Sequence, residues 1–171
     1  MAAPIFEPAS GIRGYTTAMP PGRILALDVG DRRIGLAITD ELGLTAQPLF
    51  TIHRTTERTD LKSIARFIRQ HGVATLVVGN PLHADGSLSP QAAKTQAFAA
   101  KLREAHPDLI HHLLDERLTT REAHDLLDTT RFSKSRLDRK DLIDQVAATL
   151  LLEAFLAHRA GPALLPDPDG F

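Results

Sequence analysis

Residues 23–40, RILALDVGDRRIGLAITD, decide the fold. Two short apolar runs flank a tight charged turn, and Asp28 sits near the end of the first run. A strand sends alternate residues to opposite faces, so Asp28 shares a face with Ile24 and Ala26, while Leu25, Leu27 and Val29 share the other. Gly30 begins the turn and Gly35 interrupts the second run. Without a β-carbon, glycine lets the backbone bend or another group come close. An ionised carboxylate on an apolar strand is costly, so Asp28 is either a solvated turn acid or a charge that awaits a cation.

Outward from this hairpin, QPLFTIH at 47–53 reads as a third strand. Thr59 or Asp60 can cap a helix to about His71, with Leu61, Ile64, Ala65 and Ile68 at helical spacing and Gly72 as the stop. VATLVVG at 73–79 is the unbroken apolar run of a strand buried on both faces. The stretch 80–89, NPLHADGSLS, is a loop. Ser89 and Pro90 form an N-cap and first helical residue, and that helix runs to about Ala105. LIHHLLD at 109–115 is the next strand. Thr119 and Glu122 make a capping box for a short helix ending near Asp128. A long helix covers about 139–158, its apolar stripe read as Leu142, Ile143, Val146, Ala147, Leu150, Leu151, Ala154 and Phe155.

This order predicts an α/β domain. Three antiparallel strands come first, parallel strands follow, and helices flank a mixed five-stranded sheet. Residues 1–22, with four prolines, read as a flexible leader, 23–158 as the domain, and 159–171 as a flexible tail. The chain has no cysteine, which excludes disulfides, thiolate metal sites and a cysteine nucleophile. No apolar stretch approaches a membrane span and the leader lacks the pattern of a secretory signal, so the expected location is the cytoplasm, with no membrane partner. Net charge is −1, so nucleic-acid binding has to rest on a local basic patch.

Four ordered segments carry a family resemblance: LALDVGDRRIGLAITD at 25–40, VVGNPLHADGS at 77–87, LDERLTTREA at 114–123 and DLIDQVAATLLLEAFL at 141–156. Together they resemble the YqgF family, in the RuvC-like branch of the ribonuclease H-like superfamily. Asn80 departs from the pattern, standing where many relatives carry an aliphatic residue in a Gly-Leu-Pro triplet. The resemblance implies a ribonuclease H-like fold and a metal-dependent nuclease. Its expected work is maturation of the 5′ end of the 16S ribosomal RNA precursor, with Holliday-junction resolution or non-catalytic nucleic-acid binding as alternatives. The opening hairpin also resembles the phosphate-binding hairpin of actin-like ATPases and sugar kinases, but those need two such domains and 171 residues supply one.

On the resemblance, Asp28 is the first-strand acid. Asp115 and Glu116 are neighbours on a strand and must point to opposite faces, so only one can meet Asp28, and the family motif selects Glu116; the structural alternative is a strand-end pair with Arg117 or Arg121. Asp141 and Asp144 lie three apart on the last helix. Asp141, like Asp138, is near the helix N-terminus, where the dipole alone can account for an acid. Asp144 lies further in and matches the family's D-x-x-A-A position, so it is chosen with Asp141 in reserve. Asp28, Glu116 and Asp144 would be both catalytic residues and metal ligands. Such an oxygen cluster suits Mg²⁺ or Mn²⁺ and two-metal phosphodiester hydrolysis.

Basic residues adjoin each acid in sequence: Arg32 and Arg33 at the first turn, Arg117 and Arg121 after Glu116, and Lys134, Arg136, Arg139 and Lys140 before Asp144. They are the candidate phosphate contacts. The expected partner is structured RNA, with branched DNA as a second substrate, and the expected state a monomer or weak dimer. The eight histidines are scattered and form no H-E-x-x-H, which disfavours zinc catalysis. Ser87 and Ser89 are loop and cap residues without the neighbours of a serine nucleophile.

Overall fold

The first strand, β1 (Arg23–Val29), lies at the centre of a five-stranded sheet ordered β3-β2-β1-β4-β5 in a computed structural model. The structure describes residues 22–118 and 136–160, with side chains among the latter from 139 to 159. The remaining strands are β2 (Arg33–Thr39), β3 (Ala46–His53), β4 (Val73–Asn80) and β5 (Ile110–Asp115). The helices are α1 (Glu57–His71), α2 (Pro90–Ala105) and α3 (Arg136–Ala160), and a single 3₁₀ turn spans Glu116–Leu118. β1 pairs antiparallel with β2, and β2 with β3; β1 pairs parallel with β4, and β4 with β5. This is the expected mixed sheet. The capping-box helix and nearly all of the leader lie outside the described residues, as does the tail beyond Ala160; α3 runs two residues past the expected boundary.

Strand parity sorts the core into two layers. Leu25, Leu27, Val29, Ile34, Leu36, Ile38, Leu76 and Val78 pack with Ile64 and Ile68 of α1 and Phe98 and Leu102 of α2. Ile24, Ala26, Ala37, Val77 and Leu114 pack on the other face with Ala148, Leu151, Leu152 and Phe155 of α3. Asp28 has the parity of Ile24 and Ala26, so it belongs to the α3 face. Leu49 is an extra residue in the β2–β3 register, between Leu36↔Phe50 and Ala37↔Pro48. Pro48 has no N–H for the ladder and sits on the edge strand, where its cost is least.

The start of one helix differs from the sequence reading. Helix α1 starts earlier: Thr56, not Thr59 or Asp60, is the N-cap, and its hydroxyl accepts from Thr59 N–H at 3.2 Å. Asp60 is instead buried and accepts from Arg54 Nε at 2.8 Å. Gly72 closes this helix in the left-handed region, at φ 61°. Helix α2 is capped as expected, Ser89 Oγ accepting from Ala92 N–H at 2.9 Å ahead of Pro90.

The apolar stripe of α3 is also displaced. Its buried residues are Ala148, Leu151, Leu152 and Phe155, whereas Ile143 is 40% exposed. Counting back one turn from Ala148 puts Asp144 on the sheet-facing row. The helix carries apolar residues on several sides, so periodicity alone could not choose the buried one.

Candidate active site

Asp28 lies one residue before the carboxyl end of β1 and is partly buried. Its cross-strand partner is Gly35 of β2. A β-carbon at Gly35 would overlap the backbone carbonyl of Asp144 and stand 3.3 Å from its Cα. The bare backbone of Gly35 therefore lets α3 descend onto the sheet beside Asp28. On the other flank, β1 and β4 pair through Leu27↔Val78, so Gly79 follows beside Asp28. A β-carbon at Gly79 would lie 2.5 Å from Glu116 Oε1 and 3.1 Å from Leu151 Cδ2. Two glycines thus make room beside one aspartate for the backbone of Asp144 and the side chain of Glu116.

Strand β5 ends at Asp115, so Glu116 is not its strand neighbour as expected but opens the 3₁₀ turn. Burial, followed by the charges of Asp28 and then Asp115, pushes the Glu116 carboxyl up to about 7. Asp28 and Glu116 therefore act on each other, as two carboxyl groups sharing one partly buried pocket do. Asp115 takes the strand-end role: it accepts from Arg117 Nε at 2.9 and 3.0 Å and from Nη2 at 2.5 Å. That guanidinium holds the Asp115 carboxyl below its ordinary range. Arg117 also donates through Nη1 to the Ala84 carbonyl at 3.3 Å, tying the β4–α2 loop to the end of β5.

Asp144 accepts a hydrogen bond from Arg33 Nε. Asp141 has different neighbours. Its Oδ2 is 2.8 Å from His53 Nε2, its backbone carbonyl accepts from Thr51 Oγ1 at 2.8 Å, and its buried Oδ1 has no hydrogen-bond partner. Among the described residues, no three His, Asp or Glu side chains stand as a ready-made metal cage. The backbone of Asp144 is beside the Asp28–Glu116 pocket while its carboxylate is engaged by Arg33.

Of the basic candidates, Arg33 is thus an ion-pair partner of an acid, and Arg32, Arg139 and Lys140 are exposed. Arg121 and Lys134, and the Arg136 side chain, lie outside the described residues. His111 and His112 do face opposite ways. His111 Nε2 is 2.8 Å from the His106 carbonyl, while His112 lies 4.9 Å from the Phe155 ring of α3. Asn80 is buried at the end of β4 and accepts from Gln96 Nε2 at 3.3 Å.

Support for the β1–β2 turn was not anticipated from the sequence. Arg54 donates to the Gly30 carbonyl at 2.7 Å from Nη1, and its backbone N–H to the Arg32 carbonyl at 2.9 Å. Its guanidinium also lies over Phe98, 5.2 Å from the ring centroid. Gln91 Nε2 donates to the Val29 carbonyl at 2.9 Å, and Lys94 Nζ to Asp31 at 3.0 Å. Nothing in the local pattern marks Arg54 or Gln91. Gly79 was legible as a lone glycine in an apolar run, and its use as a seat for Glu116 needed the fold.

The family model described as RuvX, Holliday junction resolvase, matches residues 22–158. The chain belongs to this family. It is 46% identical over 134 residues to a Moorella thermoacetica protein named "Putative pre-16S rRNA nuclease", covering 78% of this chain and 94% of that one. A protein of the same name from Picosynechococcus sp. is 46% identical over 143 residues, covering 82% and 96%. Among solved structures, the fowlpox virus resolvase in complex with Holliday junction DNA matches with a TM-score of 0.50 at 14% identity, covering 80% of this chain and 98% of that one. The yeast mitochondrial Holliday junction resolvase Ydc2 matches with a TM-score of 0.50 at 9% identity, covering 82% and 80%. These two likenesses bear out the ribonuclease H-like fold. The four sequence segments and the family match agree over the same span.

Proposed function

We propose that this RuvX-family chain is a divalent-metal-dependent nuclease that hydrolyses phosphodiester bonds, acting in 5′-end maturation of the 16S ribosomal RNA precursor. The observation that carries this reading is the approach of Asp28 and Glu116 at the carboxyl ends of β1 and β5, with Gly79 of β4 and Gly35 of antiparallel β2 making room. The names of the curated relatives support the substrate.

The donor set fits a hard divalent cation. Burial, followed by the charge of Asp28, pushes the Glu116 carboxyl up to about 7, and a bound cation would favour its ionised form again. Asp28, Glu116 and Asp144 would hold Mg²⁺ or Mn²⁺, with Asp141 in reserve. His53 beside Asp141 weakens the claim of that reserve. When bound, such ions acidify a water and neutralise charge on the leaving oxygen. The chain's own residues do the rest. The sheet holds Asp28, the β5 turn holds Glu116, and Arg54 and Gln91 hold the turn that carries Arg32 and Arg33. Exposed Arg32, Arg139 and Lys140 offer charge to the phosphate backbone, Arg117 is held by Asp115, and Arg121, Lys134 and Arg136 would extend the patch. No described helix is long and apolar enough to cross a membrane. A ribosomal RNA substrate would place the work in the cytoplasm.

Junction resolution is the second reading, favoured by the family's description and by the fold of the two resolvases. It asks for a symmetric dimer able to cut two strands, whereas the first reading works as a monomer or weak dimer. Labelled ribosomal RNA precursor and a four-way DNA junction should be incubated side by side with Mg²⁺, Mn²⁺ or chelator. The reading expects metal-dependent cleavage of the RNA that is absent in Asp28→Asn. Paired symmetric cuts in the junction with intact RNA would replace it by the second reading.

A further inference from the structure

Every described acid near the pocket rim has a basic partner. Asp115 has Arg117, Asp141 has His53 and Asp144 has Arg33. Of these, only the Arg33–Asp144 pair joins the start of β2, beside the β1–β2 turn, to the preferred metal ligand of α3. The two residues are 111 positions apart, and their side chains are 27% and 22% exposed. The pair is thus neither sealed in the core nor free in solvent, and both an entering cation and a substrate phosphate can reach it.

Arginine stays charged throughout the physiological range, so its charge can only be moved, not titrated away. The backbone of Asp144 is held close above Gly35, which leaves its side chain as the part that can turn. A divalent cation at Asp28 and Glu116 would compete with Arg33 for the Asp144 carboxylate. A displaced guanidinium at the mouth is suited to a phosphodiester, whose two oxygens match its planar donors.

We propose that Arg33 is an exchangeable counter-ion of Asp144, holding the carboxylate until a divalent cation takes it and then turning to a substrate phosphate. This rests on the nuclease reading and specifies how its site is charged. It makes Arg33 a positioning residue without substrate and a phosphate ligand with it.

The test titrates Mn²⁺ into the full chain by calorimetry, without nucleic acid. Arg33→Gln should bind Mn²⁺ roughly three- to tenfold tighter than wild type, because the cation no longer competes with a resident charge. Arg33→Lys keeps that charge and should stay near wild type. In an Asp144→Asn background, Arg33→Gln should bring no gain. Unchanged or weaker Mn²⁺ binding by a folded Arg33→Gln overturns the proposal, as does an equal gain in the Asp144→Asn background. A fluorescent single-stranded RNA supplies the second readout. Its affinity for Arg33→Gln should match wild type in chelator and fall about threefold in Ca²⁺ buffer; an equal loss in both overturns the transfer to phosphate. A wild-type chain that cuts neither substrate with any divalent ion removes the nuclease reading, while the Mn²⁺ titration still decides the exchange.

Discussion

The two faces of the sheet differ in the size of what they carry. The α1–α2 face is lined by Leu25, Leu27, Ile34, Leu36, Leu76 and Val78. The α3 face also carries Ile24, Val77 and Leu114, but around Asp28 its positions are Ala26, Ala37, Gly35 and Gly79. Large side chains hold a helix away from a sheet, whereas small ones let it sit close. The first face is a core. The second brings helix backbone near strand backbone and leaves room for carboxylates. This difference teaches that close approach, rather than a cleft between domains, builds the site.

The comparison breaks most sharply at Asp28. Asp28→Asn should lower metal-dependent cleavage by at least about a thousandfold, with melting unchanged or raised. Gel assays on labelled RNA and calorimetry check the two halves; a folded variant of full activity would end the assignment.

Gly35→Ala should damage both properties, since its β-carbon overlaps backbone rather than a flexible side chain. A loss of about 3 kcal/mol or more in urea unfolding is expected, with cleavage reduced in the remaining folded protein. On the opposite face, Leu27→Ala should cost about 2–5 kcal/mol and leave the turnover of folded protein almost intact. Equal loss of turnover in both variants would mean that the faces are not functionally distinct.

A smaller effect separates the faces by pH. Glu116 has its folded value raised, so its contribution is fully present below its ordinary 4.5 and is lost as pH rises through about 7. In metal-free buffer, Glu116→Gln should therefore gain on wild type across that window, by about 1–2 kcal/mol, and saturating Mg²⁺ should shrink the difference. His106, His111 and His112 behave oppositely. Burial, the largest cause for each, lowers their values, so their contribution is present above 6.5 and is lost as pH falls. Thermal melts of Glu116→Gln on the α3 face and His111→Gln on the other, each read against wild type, should shift with pH in opposite directions.

Much of the site was legible because strands obey a simple rule. Alternation alone put Asp28 with Ile24 and Ala26, whereas the choice of Glu116 over Asp115 came from the family motif, since Glu116 opens a 3₁₀ turn where strand parity no longer decides. Helix α3 was harder. Apolar residues on several of its sides make competing stripes, and the one predicted included Ile143, which faces solvent. The cap of α1 was misplaced because Thr56, Thr59 and Asp60 all have capping side chains, and the choice turned on Arg54 drawing Asp60 inward.

The order of the strands, their mixed directions and the face of Asp28 followed from the sequence by itself, since periodicity and turn chemistry are local properties. Which base holds which acid came only from the tertiary structure. Arg33 and Asp144, or His53 and Asp141, are remote along the chain, and ion pairing depends on distance in space, which no spacing along the chain encodes.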